Sequence, residues 1–222
     1  MKIDILTLFP EMFDSLNYSI IGRAKQKNLI ELNIINIRDF SNNKHKKTDD
    51  YTFGGGAGML MTPQPLYDAI NSVKTTKSYC IYLSPSGNVL KHKKVVNFAS
   101  NYNHLILVCG HYEGIDQRVI DLLIDEEITI GDYVLTGGEL PAMVLTDAVS
   151  RYVEGVLENE SVSEESFTNG LLEYPQYTRP QSFKGRKVPE VLLSGHHENI
   201  KNWRQKKAYE KTKKVRPDLL KK

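Results

Sequence analysis

Two neighbouring stretches decide how this chain is read. The first is Leu105-Ile106-Leu107-Val108-Cys109-Gly110-His111-Tyr112-Glu113-Gly114-Ile115-Asp116, and the second is Ile128-Thr129-Ile130-Gly131-Asp132-Tyr133-Val134-Leu135-Thr136-Gly137-Gly138-Glu139-Leu140-Pro141. In the first, a compact apolar run turns sharply through Gly110–Asp116 and a helical pattern follows. In the second, Ile128–Leu135 reads as a strand that stops at a glycine turn, with another helix starting near Pro141. Two β-rich runs that each end in a glycine turn opening a helix predict an α/β fold built on an open sheet. In such sheets, ligands settle outside the carboxyl ends of the strands. Glycines there admit a ligand close to the backbone, and the free N–H groups of a helix start favour an acceptor. One glycine turn is also what any βα connection looks like, but two within one short stretch point to a binding site.

The chain has 222 residues, 25% of them charged and 40% hydrophobic, as expected of an ordinary soluble protein with one large domain and at most a small appendage. No apolar run approaches the ~20 residues a membrane span needs. Met1–Pro10 carries Asp4 inside its apolar run and no small-residue cleavage site, so it reads as a first strand and not as a signal peptide. Cys80 and Cys109 both lie in apolar runs, which suits reduced, buried thiols of a cytoplasmic protein. The net charge is +2, unevenly placed: residues 201–222 hold ten Lys and Arg against Glu210 and Asp218, a surplus of eight that leaves residues 1–200 at −6. A basic stripe on an acidic body is a footprint for phosphates, although a solvated helix end carries the same charges.

From the N-terminus, Ile3–Phe9 predicts a strand, Pro10–Phe13 a short helix, and Leu29–Ile37 a second strand. The segment Arg38–Asp50, which holds His45 and Asp49, is a polar, basic loop of the kind that often carries function on a rigid scaffold, with Lys44–Lys47 as a second source of positive charge. Phe53-Gly54-Gly55-Gly56-Ala57-Gly58-Met59 lacks the Gly-Lys-Ser/Thr of a P-loop and the spacing of G-x-G-x-x-G, and reads as flexible backbone near a substrate. A helix is expected over Pro63–Val73, a strand over Tyr79–Leu83 ending at Ser84-Pro85-Ser86-Gly87, and a helix around Lys94–Ala99. The helix near Pro141 puts Ala142, Leu145, Ala148, Val149 and Tyr152 on one face; Arg151 lies off it, four residues after Asp147, where an exposed ion pair is the ordinary explanation. The Ser/Glu/Asn-rich stretch around Glu158–Gly170 is a linker. Pro175, Pro180 and Pro189 then punctuate an extended segment before a basic helix from about His197 to Lys214. No metal-ligand spacing stands out, and there is no nucleophile elbow or catalytic-cysteine signature.

With these blocks in order, the chain resembles the bacterial tRNA (guanine-N1)-methyltransferases of the SPOUT class. The blocks are Phe9–Phe13, Gly54–Met59, Tyr82–Pro85, Cys109–Asp116, Ile130–Pro141, Tyr174–Pro180 and Val191–Gly195, and they run from Met1 to about Leu220. The resemblance implies a SPOUT-type knotted parallel-sheet domain that binds S-adenosylmethionine over residues 1–157. It also implies a flexible linker at 158–170 that orders when tRNA arrives, and a small, mainly helical, basic tRNA-binding domain at 171–222. It further implies a cytoplasmic homodimer with composite active sites and no membrane attachment, a magnesium dependence without any named ligand, and an acceptor guanosine at position 37, 3′ of the anticodon. The donor pocket is matched by Tyr82, Leu83, Ser84, Pro85, Gly110, Tyr112, Glu113, Gly114, Ile130, Gly131, Asp132, Tyr133, Val134, Leu135, Gly137, Gly138 and Pro141. The basic tail adds Lys206, Lys207, Lys213 and Lys214 as phosphate contacts.

The chemistry suits these residue types. Guanine N1 carries a proton and is a poor nucleophile until a base removes it, and a cation near O6 stabilises the charge that develops. By resemblance Arg151 is that cation and Glu165 the base. Two departures from the family pattern stand out: Glu165 occupies the place of an aspartate in a linker about one residue shorter, and His111 the place of an arginine. The rival expectation is a non-catalytic RNA-binding protein that keeps the fold, favoured only by the Glu165 departure. A small-molecule methyltransferase would have no use for the basic tail.

Overall fold

A computed structural model describes residues 1–158 and 165–221. Residues 159–164, most of the first half of the expected linker, and Lys222 lie outside the described residues. The chain divides into two compact units, Met1–Leu157 and Glu158–Lys222.

The first unit is built on a five-stranded sheet in which every pairing is parallel. Its strands, β1 (Lys2–Thr7), β2 (Glu31–Asn36), β5 (Ser78–Val89), β6 (His104–Cys109) and β7 (Glu126–Thr129), stand in the order β2-β1-β6-β5-β7. A two-residue ladder pairs β3 (Asp49–Asp50) with β4 (Leu60–Met61). Parallel strands covered on both faces read as unbroken apolar runs, and all six residues of β6 are buried.

The two-residue period of a strand divides this core. Ile3, Ile5, Leu105, Leu107, Ile81 and Leu83 face α1 (Ser19–Gln26), α3 (His92–Asn101) and α5 (Glu139–Ser150). Leu6, Ile106, Val108, Cys80 and Tyr82 face α2 (Pro63–Val73) and α4 (Gln117–Leu123). Asp4 breaks the apolar pattern of β1, yet its fully buried carboxylate is satisfied: the His104 ring lies 2.7 Å away and the Asn33 amide donates at 2.8 Å. A buried carboxylate without such partners would cost several kcal/mol.

Two expected boundaries move. The strand at Tyr79–Leu83 does not end at Ser84. It continues to Val89, and its register against β7 shifts between Leu83 and Asn88, so Ser84–Gly87 form an irregularity inside the strand. The strand expected over Ile128–Leu135 is only Glu126–Thr129. Its end has a local cause: the Thr129 hydroxyl donates to Gly131 O at 2.8 Å and accepts from Gly131 N at 3.3 Å, so these backbone groups leave the ladder.

The second unit has little apolar interior. Helix α6 (His197–Val215) is polar nearly all round, and only Ala208 and Thr212 are buried on it, one turn apart. Thr212 Oγ1 accepts from Leu172 N at 2.8 Å and donates to Ala208 O at 2.7 Å, pinning the segment after the linker to the helix. Tyr177 packs beside Trp203, and the Arg204 guanidinium lies 4.9 Å from the Tyr174 ring centre. A two-residue hairpin, β8 (Ser182–Phe183) with β9 (Arg186–Lys187), completes the unit.

Candidate functional site

The irregular middle of β5, level with the carboxyl end of β6, and the carboxyl ends of β6 and β7 line one cavity of about 260 Å³. Its wall draws on Tyr82–Ser86, Gly110–Gly114, Ile128–Ile130 and Tyr133–Gly138, with Pro141 from α5. Every residue expected in the donor pocket lines it except Gly131 and Asp132. Those two instead make the sharp bend beyond β7, where Tyr133 N donates to Gly131 O at 2.9 Å.

The cavity is held from both sides by backbone. The turn after β6 is bound on one side to the segment entering β4: Glu113 N donates to Met59 O at 2.9 Å, Met61 N to Gly114 O at 3.0 Å, and Asp116 N to Met61 O at 3.1 Å. On its other side Gly138 N donates to Gly110 O at 2.9 Å. Any side chain at Gly138 would meet Cys109 Cα at 2.7 Å, so the start of α5 reaches β6 only because that residue is glycine. The ring of Tyr82 fills the space a side chain at Gly110 would need. Burial, with Glu127 adding, pushes the Tyr82 phenol up to about 12, so it stays neutral through the physiological range. Burial likewise pushes the Cys80 thiol up to about 12 and the Cys109 thiol well above its usual value. Neither thiol is a nucleophile in the folded chain.

A polar network that was not anticipated braces this wall. Glu139, the first residue of α5, is 1% exposed. Its carboxylate accepts from Thr7 Oγ1 at 2.7 Å and lies 2.8 Å from His111 Nε2. Thr7 Oγ1 in turn accepts from Phe9 N at 2.9 Å, and the Phe9 ring stands 4.8 Å from that of His111. The end of β1, the β6 turn and the start of α5 are thereby joined through one buried carboxylate. His111, which stands where the family pattern has arginine, contacts the Glu139 carboxylate.

Other expected site residues lie outside the cavity. Arg151 directly follows α5, half-buried, with its N–H donating to Asp147 O at 3.3 Å. Glu165 belongs to the second unit, half-buried, where its carbonyl accepts from Thr168 N at 3.4 Å in a turn. His45 is exposed and Asp49 opens β3 in the first unit. Lys206, Lys213 and Lys214 are exposed on α6, while Lys207 pairs with Glu210 at 2.7 Å. Among the described residues no group of three or more His, Cys, Asp or Glu side chains is placed to hold a metal ion. No helix there is long and apolar enough to cross a membrane.

Comparison with known proteins bears on this arrangement. The family model described as tRNA (Guanine-1)-methyltransferase TrmD matches residues 1–222. A tRNA (guanine-N(1)-)-methyltransferase of Ruminiclostridium cellulolyticum is 58% identical over 227 residues, covering 100% of this chain and 97% of the relative. The protein of the same name from Clostridioides difficile is 56% identical over 228 residues, covering 100% and 98%. That of Clostridium kluyveri is 56% identical over 221 residues, covering 99% and 90%. With its whole length matched and its glycine turns gathered at one sheet edge, the chain belongs to the tRNA (guanine-1)-methyltransferase family.

Proposed function

We propose that this chain transfers a methyl group from S-adenosylmethionine to N1 of a tRNA guanosine, the one at position 37 just 3′ of the anticodon. The observation that carries this is the cavity: in a chain of this family the irregular middle of β5 and the ends of β6 and β7 converge on one pocket lined by the glycine turns at Gly110–Gly114 and Gly137–Gly138. The main-chain N–H and C=O groups of such turns suit the edge of an adenine ring. The donor's sulfonium methyl is already activated, so the protein supplies position and electrostatics.

In this reading Glu165 takes the N1 proton as the N1 lone pair forms the new bond to the methyl carbon. The carbon–sulfur bond breaks, its electron pair stays on sulfur, and S-adenosylhomocysteine leaves as a neutral thioether. Arg151 stabilises the negative charge that develops on O6. Glu113, in the cavity wall, holds the methionine end of the donor. Lys206, Lys207, Lys213 and Lys214, with His45 and Asp49, contact the RNA. The active sites are shared between the protomers of a cytoplasmic homodimer, and the parallel sheet with its doubly bound β6 turn supports the trefoil knot of the SPOUT class. A protein that binds RNA without turnover is the second reading, and Glu165 in place of aspartate is what favours it; methyl transfer to unmodified tRNA decides between the two.

The first test is donor binding. Titration calorimetry with S-adenosylmethionine should show saturable binding to the free protein, and Gly138→Val should abolish it by forcing α5 off β6. Absence of binding at millimolar donor overturns the proposal.

A further inference from the structure

The loop joining β3 to β4 carries two aromatic rings that no packing explains. Phe53 is 100% exposed and Tyr51 is 80% exposed, in a chain whose other rings mostly find partners. Between them Thr52 is half-buried, and a tight turn fixes its backbone: Gly55 N donates to Thr52 O at 3.3 Å and Thr52 Oγ1 donates to Gly55 O at 3.1 Å. The alternation exposed, half-buried, exposed sends both rings outward. Gly54, Gly55 and Gly56 follow, all with positive φ, so bare backbone surrounds Phe53 where other side chains would otherwise stand. Exposing two apolar rings costs free energy that folding does not recover.

The same loop reaches the cavity. At Gly58, φ is +85°, and an added Cβ would lie 2.4 Å from a carboxylate oxygen of Glu113, a residue of the cavity wall. Three backbone hydrogen bonds then bind residues 59–61 to the turn at 113–116. Upstream on the same excursion Lys44 and His45 are exposed and make no ion pair among the described residues. The rings therefore stand on a short, glycine-cleared loop that runs from a basic segment to the wall of the donor cavity.

We propose that Tyr51 and Phe53 form a stacking platform for unpaired nucleobases of the tRNA loop beside the reacting guanosine. This rests on the reading of the chain as a tRNA methyltransferase. Single-stranded loops are recognised by stacking their splayed bases on aromatic side chains, and every base offers such a face. A base that reacts must leave its neighbours' stack, so a protein surface that replaces the lost stacking favours extrusion of the acceptor. A second copy of the chain is the other occupant such rings could serve. Stable protein interfaces need on the order of 800 Å² per partner, and two rings set among glycine, threonine and lysine supply no contiguous apolar face of that size.

The test uses the full-length protein and an unmodified tRNA transcript carrying 2-aminopurine in place of the base 3′ to the guanosine. Stacking on a ring should quench its fluorescence when wild-type protein binds. Phe53→Ala and Tyr51→Ala should each weaken tRNA binding about 10-fold, within the range for loss of one stacked base, and should lose part of the quench, with donor affinity unchanged. Phe53→Trp should restore both signals, and Phe53→Leu should restore neither. Wild-type affinity and quench in Phe53→Ala would overturn the proposal, as would Phe53→Leu behaving like Phe53→Trp. A change in sedimentation of Phe53→Ala would also overturn it, by placing the rings in a protein interface. Wild-type protein that methylates no tRNA would overturn the parent function, whereas normal transfer with an indifferent Phe53→Ala overturns only the platform.

Discussion

The two units of this chain differ in what stabilises each of them internally. In Met1–Leu157 two clusters of buried aliphatic and aromatic side chains cover both faces of the sheet. In the described part of the second unit Ala208 is the only buried apolar residue, and the tie between helix and preceding segment is a threonine hydroxyl. The first arrangement fixes a cavity wall to within the tolerance of close packing. The second leaves a cationic helix whose shape depends on a few polar contacts, which suits a surface that adapts to a polyanion. Close packing and a few polar contacts thus stabilise different parts of one sequence.

The sharpest way to break this comparison is to cut into each unit's interior. Phe98, 1% exposed and packed on Tyr79 and Tyr102, should cost about 3–5 kcal/mol as Phe98→Ala. Thr212→Val keeps the shape but strands Leu172 N–H, and should cost about 1–3 kcal/mol. Trp203 is the only tryptophan. Its fluorescence therefore reports the second unit, while far-ultraviolet dichroism is dominated by the first. Denaturation followed by both probes should show Thr212→Val shifting the tryptophan transition and Phe98→Ala shifting the dichroic one. Coincident shifts in both variants would erase the distinction.

Next in size is the chemical step. Glu165→Gln should lower single-turnover methyl transfer at least ~100-fold, since a general base typically contributes ~10²–10⁴-fold, with donor affinity unchanged. Glu165→Asp, which restores the family residue in a linker of altered length, should retain more activity than Glu165→Gln. Near-normal turnover by Glu165→Gln would remove it as the base and turn attention to Glu164, which lies outside the described residues.

Charge reversal at Lys206, Lys207, Lys213 and Lys214 should flatten the dependence of tRNA affinity on salt, by roughly 0.7–0.9 in log–log slope for each phosphate no longer neutralised. Reversal in the Lys44–Lys47 loop, measured separately, apportions the remainder. An affinity indifferent to salt would contradict both assignments.

The smallest effect is expected at Asp116. Its carboxylate accepts from Arg118 N at 3.0 Å as the cap of α4 and from the Arg118 guanidinium at 2.7 and 2.9 Å. The Arg118 guanidinium and backbone N–H hold its pKa below the usual carboxylate range. A depressed folded value means that the stabilisation is complete above the unfolded value of ~3.9 and is lost as pH falls below it. Asp116→Ala should therefore cost about 1 kcal/mol at neutral pH, and the gap from wild type should close in acid. A gap that stayed constant down to a pH of about 2, well below that unfolded value, would assign the effect to packing.

How far the sequence led differs between the units in the same way. Where burial is two-sided the pattern was plain: Leu105–Cys109 and Pro63–Val73 were legible because period and punctuation agree with packing. The cavity was legible as well, since glycine turns after apolar runs mark strand ends. The Ile130–Leu135 run misled, because a threonine hydroxyl diverts the backbone where composition still favours a strand. The Thr7–Glu139–His111 network was invisible, since its members lie far apart in sequence and only the folded sheet brings them together. In the second unit the basic helix was legible by charge, but Thr212 as its anchor was not, because nothing local distinguishes a threonine buried at a crossing from one facing water.

The central claim is most directly tested by methyl transfer itself. The full-length protein would be incubated with S-adenosylmethionine labelled in the methyl group and with two tRNA transcripts that differ only in carrying guanosine or adenosine at position 37. Label should enter the guanosine transcript, and nuclease digestion should release it as 1-methylguanosine, while the adenosine transcript stays unlabelled. Equal labelling of both transcripts, label on another atom, or binding of both without any transfer would contradict it.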